Sequence, residues 1–339
     1  FGGFLFPLIF SNEHGWMRIL ARNPELRKTK ICRLFELHPH KEKGTRMPKV
    51  SIVLPCYNGQ RFLHQSLDSI LGQSFTDWEL IIVNDNSTDN TPQIAEEYAR
   101  RDGRIRVIHN RKNKKLPGAL NVGFADARGE YFTWTSDDNI AKPNWLSVMV
   151  NYLDCHPNTD MVSANMDTID ESGVVLDTFR NTRNYNSNEL AHKCNIGAAF
   201  MYRRSIADVV GKYDDTMFCA EDYDYWVRIA LAGKIDYIYD NIYMYRTNQD
   251  SLTATQQPKI LARTVAIHNK YRGKWIKKLK LGWLGRQKYD YLLRNFPVER
   301  TELSLFGLWH WLTSNLIKVL FFWNRTLRHK YNEIFRIKL

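Results

Sequence analysis

Tyr131-Phe-Thr-Trp-Thr-Ser-Asp-Asp-Asn139 is the stretch on which the reading of this chain turns. An apolar strand pattern stops abruptly at two adjacent carboxylates. Buried strands end at the rim of a sheet, and in open α/β sheets ligands bind at the carboxyl ends of the strands. Two acids there make a poor core and a good seat for a hard divalent cation, which takes oxygen ligands. Asp-Asp-Asn is also ordinary turn chemistry, so this stretch alone leaves both readings open.

Working outward, Val50 to Pro55 is a short apolar run of the kind a fully buried parallel strand shows, closed by Pro55-Cys-Tyr-Asn-Gly59. Helical periodicity follows over Arg61 to Gly72. Trp78 to Asn84 repeats the buried-strand pattern and ends in Asp85-Asn-Ser-Thr-Asp89. Pro92 to Arg101 is a helix with proline in its first turn, Ile105 to His109 a third strand, Gly118 to Ala127 a helix and Glu130 to Thr135 the fourth strand. This alternation predicts an α/β fold with a mainly parallel sheet flanked by helices. Downstream, the spacing predicts a helix over Pro143 to Leu153, a hairpin of Met161 to Ile169 with Val174 to Thr178, and a strand over Gly197 to Tyr202. A short helix over Ser205 to Val210, a helix over Glu221 to Ala232 closed by Gly233, and a strand over Ile235 to Tyr245 follow.

Acidic residues recur at three points: Asp85 past the second strand, Asp137-Asp138 past the fourth, and Glu221-Asp222 at a helix start. If the strands are parallel, the first two share one sheet edge. Asp85 could accept hydrogen bonds from a base or ribose. Asp137 and Asp138 could hold Mg²⁺ or Mn²⁺ against a diphosphate, and Asp222 could serve as a general base. The competing account of Glu221-Asp222 is a helix N-terminus that favours acids through its dipole. Neither a Gly-x-x-x-x-Gly-Lys-Ser/Thr loop nor a Gly-x-Gly-x-x-Gly turn is present. A nucleotide site here would manage phosphate charge by other means, such as a metal held by acids.

Composition narrows the class. The net charge of +12 is uneven. Residues 1 to 46 carry 9 Lys/Arg against 4 Asp/Glu, and residues 259 to 339 carry 18 against 4, so the middle is acidic. An acidic globular middle argues against a nucleic-acid binder and points the basic flanks at an anionic surface. The five cysteines are scattered, without Cys-x-x-Cys, as expected of reduced thiols in the cytoplasm.

Several ordered motifs together resemble the family 2 glycosyltransferases, from about Lys49 to Thr255, and especially bacterial enzymes that build surface polysaccharides. They are Val50-Ser-Ile-Val-Leu-Pro-Cys-Tyr-Asn-Gly59, Glu79-Leu-Ile-Ile-Val-Asn-Asp-Asn-Ser-Thr-Asp-Asn-Thr91, Gly118-Ala-Leu-Asn121 with Gly129-Glu-Tyr-Phe132, Thr135-Ser-Asp-Asp138, Ala220-Glu-Asp222, and Tyr245-Arg246 with Asp250-Ser251. The resemblance implies a GT-A fold and an inverting transfer of a sugar from a nucleotide-diphosphate sugar, a UDP-sugar by preference. The acceptor would be a hydroxyl of a glycan or lipid-linked molecule, and the cofactor Mn²⁺ or Mg²⁺. It implies that Pro55, Tyr57 and Asp85 line the base and ribose pocket, with Asn121 near the donor. Asp137 would contact the ribose or sugar side and Asp138 the metal. Glu221 would bind acceptor and Asp222 would take its proton. The chain departs from the family pattern at Thr135, where an Asp is common, so Asp137 and Asp138 both stand as metal ligands. At Asn248 many relatives have His; Asn248 would complete the metal set, and Arg246 would share the diphosphate charge. A catalytically degenerate scaffold or partner subunit at the membrane is the alternative these departures leave open.

The implied organisation is an N-terminal extension and linker over 1–47, a transferase domain over 48–256 and a basic, aromatic-rich helical tail over 257–339. In the tail, Leu305, Leu308, Leu312, Leu316, Val319 and Trp323 share one helical face. With flanking positive charge this suits a peripheral anchor on the inner face of the cell membrane. A helical pair packed on the main domain, or an oligomer contact, are the other readings.

Overall fold

The computed structural model describes residues 47–181, 185–249 and 251–294. The apolar run Phe1 to Phe10 and the tail face around Leu305 to Trp323 lie outside the described residues.

β1 (Val50–Cys56) and β2 (Trp78–Asn84) are buried at every position, as strands covered on both faces must be. β1 pairs in parallel with β2 on one side and with β4 (Tyr131–Trp134) on the other, and β2 pairs in parallel with β3 (Ile105–His109). The helices α1 (Leu63–Leu71), α2 (Thr91–Arg101) and α3 (Lys115–Asp126) connect them. The expected parallel block is therefore present in the order β3-β2-β1-β4.

Beyond β4 the nine-stranded sheet is mixed. β8 (Phe200–Arg203) runs antiparallel to both β4 and β6 (Met161–Ile169). β6 in turn runs parallel to β9 (Ile235–Arg246) and carries β7 (Val175–Phe179) as an antiparallel partner. Two antiparallel steps restore direction, so β6 and β9 end at the same rim as β1, β2 and β4. A two-residue strand, β5 (Ile140–Ala141), pairs with β9; too short to show periodicity, it has no sequence signature.

Alternation along β1 divides the core. Ile52 and Leu54 join one cluster with the helices α1 and α4 (Trp145–Cys155), whereas Val53 joins the other. That second cluster includes α6 (Glu221–Ala232), which α5 (Arg204–Val210) and the four-residue α7 (Leu252–Thr255) flank in sequence. It also takes in Ile267, Tyr271 and Trp275 of α8 (Gln257–Lys278) and Tyr289 of α9 (Trp283–Arg294). The sequence places everything after residue 256 in a separate tail. Instead, α8 presents its apolar stripe to α6, and Tyr289 donates to the Ala191 carbonyl at 2.9 Å. The folded unit thus continues to residue 294. Burying Ile267 alone contributes about 2 kcal/mol.

Candidate active site

A cleft of about 730 Å³ opens at the rim where β1, β2, β4, β6 and β9 end. Two loops form one of its walls, and they are tied together side chain to backbone. Asn58 Oδ1 accepts from Thr88 N at 2.9 Å, Ser87 Oγ from Asn58 N at 3.0 Å, and Thr91 Oγ1 from Gly59 N at 2.9 Å. Gln60 N donates to Asp89 Oδ2 at 3.2 Å, and Gln60 Oε1 accepts from Asn90 N at 3.0 Å. The polar run after β2 is thus the mate of the loop after β1.

Four of the five described non-glycine residues with positive φ sit at or beside this cleft: Asn58, Asn86, Lys115 and Cys219. Backbone held in that region is costly and concentrates at functional sites.

Asp85 is buried at the end of β2. Its Oδ1 accepts from Asn110 Nδ2 at 2.8 Å, and both oxygens accept from Lys114 N at 2.9 Å. A carboxylate offers about four acceptor positions, so capacity remains for one ligand donor. Tyr57, half exposed, presents its ring above, and Pro55 lines the cleft beside it.

Asp137 and Asp138 occupy the floor. Ser136 Oγ donates to Asp138 Oδ1 at 2.6 Å and to Asp137 Oδ1 at 3.3 Å, while Asn248 Nδ2 donates to Asp138 Oδ2 at 3.0 Å. Burial and the adjacent Asp138 charge push the Asp137 carboxyl up to about 7, against hydrogen bonds from Ser136 and the Tyr57 backbone. Burial likewise raises Asp138. Gly59 has no side chain for a reason: a Cβ there would lie 2.0 Å from Asp137 Oδ2. No group of three or more potential metal ligands is present among the described residues. Still, two crowded carboxylates with raised proton affinity are a donor set that a divalent oxygen-loving cation would relieve, so the residues fit one. Thr135 is buried below them and hydrogen-bonded to the Tyr243 hydroxyl, which removes it from the donor set.

At the other end, Glu221 and Asp222 open α6. The dipole of a helix N-terminus would lower both carboxyls. Instead, burial followed by the Asp222 charge pushes Glu221 up to about 8, and burial raises Asp222 as well. Dipole stabilisation alone therefore does not account for the pair. Glu221 is the deeper member, accepting from Cys219 N at 2.8 Å; Asp222 accepts from Tyr223 N at 2.7 Å and is partly exposed to the cleft. Behind them, buried Asp224 anchors the helix. It takes Arg228 Nε at 2.8 Å, Lys270 Nζ at 3.0 Å and the Tyr271 hydroxyl at 2.9 Å, so the Asp224–Arg228 pair is structural.

Two expected site residues lie elsewhere. Arg246 is fully buried and its guanidinium is already committed. It donates to the backbone carbonyls of Asp138 (2.8 Å), Asp170 (2.9 Å) and Glu171 (2.6 Å), and to Gln65 Oε1 (2.7 Å). It staples the Asp138 loop to the β6–β7 turn and α1, spending four of its five N–H groups there. Asn121 brackets Tyr213, donating to its carbonyl at 2.9 Å and accepting from its N–H at 2.8 Å, and so fixes α3 to the loop before α6. Neither residue lines the cleft.

A model of the glycosyl transferase family 2 matches residues 51–211. An uncharacterized glycosyltransferase of Methanocaldococcus jannaschii is 30% identical over 213 residues, spanning 60% of this chain and 73% of its own length. The chain belongs to the family 2 glycosyltransferases. Its fold is that of solved GT-A transferases. Staphylococcus aureus TarS residues 1–349, in complex with UDP-GlcNAc, superposes on the transferase with a TM-score of 0.53 at 19% identity, covering 72% of this chain and 79% of that one. The Pyrobaculum calidifontis mannosyltransferase PcManGT, in complex with GDP-Man and Mn²⁺, gives 0.54 at 16% identity, covering 93% and 92%.

The transferase also lines its cleft with residues the sequence did not single out, among them Asn113, Lys115, Ile196, Phe218 and Tyr245. Of these only Tyr245 stood in a quoted motif. The Tyr245 phenol is raised by burial and by the charges of both Asp138 and Asp222, which places it between the two acidic centres.

Proposed function

We propose that this glycosyltransferase moves a sugar from a UDP-sugar to a hydroxyl of a glycan or lipid-linked acceptor by a single in-line displacement with inversion. The observation that supports this best is the pair of acidic centres in one cleft, Asp137-Asp138 on the floor beside Tyr57 and Asp85, and Glu221-Asp222 at the far end. The similar TarS structure contains UDP-GlcNAc, which favours a uridine donor.

In this reading Tyr57 carries the base and Asp85 accepts a hydrogen bond from it. Asp137 and Asp138, with Asn248 beside them, would hold Mn²⁺ or Mg²⁺. That ion supplies positive charge against a diphosphate leaving group. Burial raises both carboxyls, Glu221 to about 8, and Asp222, the more exposed member of the pair, serves as the base. As the acceptor oxygen bonds to the anomeric carbon, its proton passes to Asp222, and the bond from that carbon to the diphosphate oxygen breaks on the opposite face. A screen of UDP- and GDP-sugars for hydrolysis, with and without Mn²⁺, tests the reading. Turnover confined to one UDP-sugar with metal is expected. No binding or turnover of any donor would leave only a scaffold.

We further infer that the tail beyond residue 294 makes a peripheral contact with the inner face of the membrane. No described helix is long and apolar enough to cross one. Salt-sensitive pelleting with anionic liposomes, abolished by removing residues 295–339, is the expected result.

A further inference from the structure

A second cavity, of about 690 Å³, lies away from the cleft and shares no lining residue with it. It is walled by Asn165, Arg180, Asn181, Tyr239 and Asn241. On β6, Met166 lines the cleft and its neighbour Asn165 lines this cavity, the separation that strand alternation produces.

The cavity is made by an irregularity in β9. The register steps from Ala164↔Ile238 to Asn165↔Asn241, so Tyr239 and Asp240 bulge out of the ladder. Bulges re-aim side chains, and here the re-aimed one is an aromatic ring left 46% exposed. The bulge is braced from within. Asn165 Nδ2 donates to the Tyr239 carbonyl at 2.7 Å. The Tyr237 hydroxyl donates to Asn165 Oδ1 at 2.7 Å and accepts from Asn181 N at 3.2 Å. The Tyr239 ring stands edge-on to Tyr237 at 5.3 Å, which in turn stacks on Tyr185 at 5.2 Å. An exposed ring is thus held rigid by three layers of structure.

The polar groups around it complement hydroxyls and one negative charge. Asn181 and Asn241 spend their amide N–H groups internally, on the Asn195 carbonyl and Asp167 Oδ1. Asn241 Oδ1 is buried without a hydrogen-bond partner among the described residues. Arg180 is exposed and forms no ion pair among the described residues.

We propose that this cavity is a second saccharide-binding site, taking a glycan segment that bears a carboxylate or phosphate. A sugar ring offers an apolar C–H face to Tyr239, a hydroxyl donor to the amide oxygen of Asn181, and an anionic substituent to the Arg180 fork. The volume falls within the usual range for small-ligand sites, about 300–1,000 Å³. The site does not depend on the chemistry of the cleft.

The test uses the full chain, with saturating UDP, on a printed array of neutral, uronate-bearing and phosphorylated glycans. Wild type is expected to retain anionic glycans. Tyr239→Ala is expected to lose about tenfold of that retention, and Arg180→Ala to lose the preference for anionic over neutral glycans. UDP-sugar hydrolysis by both variants should stay within about twofold of wild type, because neither residue touches the cleft. No retention by wild type, retention unchanged in Tyr239→Ala, or hydrolysis falling in step with retention would each overturn the proposal.

Discussion

The two ends of the parallel block treat their carboxylates in opposite ways. At the amino-terminal edge Glu79 is buried, yet its carboxyl lies below the usual range. Burial pushes it up, and this is outweighed by hydrogen bonds from Ser51 Oγ (2.6 Å) and Arg128 N (2.7 Å) and by the charges of Arg128 and Arg106. At the carboxyl-terminal edge Asp137 and Asp138 crowd together, burial outweighs the Arg246 charge near Asp138, and both are raised. The same sheet satisfies acids where they serve the fold and leaves them short of charge where they serve a ligand. Carboxylates held above their usual range are therefore a more specific marker of the site than the acids themselves.

The largest expected break in that contrast is at the far end of the cleft. Asp222→Asn should cut transfer by about a thousandfold or more, the scale of a lost general base. UDP affinity by calorimetry should stay within about twofold, since binding and proton removal sit at opposite ends. Equal loss of both would refute the division of labour. Next, Asp138→Asn should weaken Mn²⁺ binding in the presence of UDP by about 10–100-fold, read by the electron paramagnetic signal of free Mn²⁺. An unchanged signal would move the metal off this pair.

At the opposite edge, Glu79→Gln should leave transfer near wild type and destabilise the fold by about 1–3 kcal/mol in urea at pH 7, because Arg128 and Arg106 lose their charge partner. The folded-state proton affinity of Glu79 is lowered, so its contribution is present above the unfolded pKa. The gap between variant and wild type should close as pH falls below about 4. Glu221→Gln sharpens the comparison with the opposite sign. With its carboxyl raised to about 8, the native state holds a proton that the unfolded state has released above about 4.3. Wild-type stability therefore falls as pH rises from there through 8. The variant should be more stable than wild type at pH 8, with the advantage shrinking towards pH 4. Melting curves across that range decide it.

What the sequence disclosed followed from patterns with a physical period. The ends of β1, β2 and β4 were legible because unbroken apolar runs stopped at polar clusters, and α6 because Gly233 and a buried stripe bound it. The role of Arg246 was not legible. Its position beside a motif suggested a ligand contact, and only the third dimension brings three carbonyls and Gln65 to its guanidinium. The same holds for Asn121, whose partner Tyr213 is 92 positions away. Phe218 sits in an irregular loop and Lys115 opens α3 with a positive φ, so no periodicity marks either as a cleft residue. The packing of α8 on α6 differs in kind, because the signal was present. Thr264, Ile267, His268, Tyr271 and Trp275 fall on one helical face and are all buried, but the surrounding lysines and arginines made the segment read as surface.

The burial of α8 has a practical consequence for dissecting the protein. A fragment cut at residue 256 would strip the cover from Trp226 and Tyr223 and take both Lys270 and Tyr271 from Asp224. Such a piece would expose a broad aromatic surface over an underpaired carboxylate, and would be expected to aggregate on expression. A piece meant to keep that cover should include both α8 and α9.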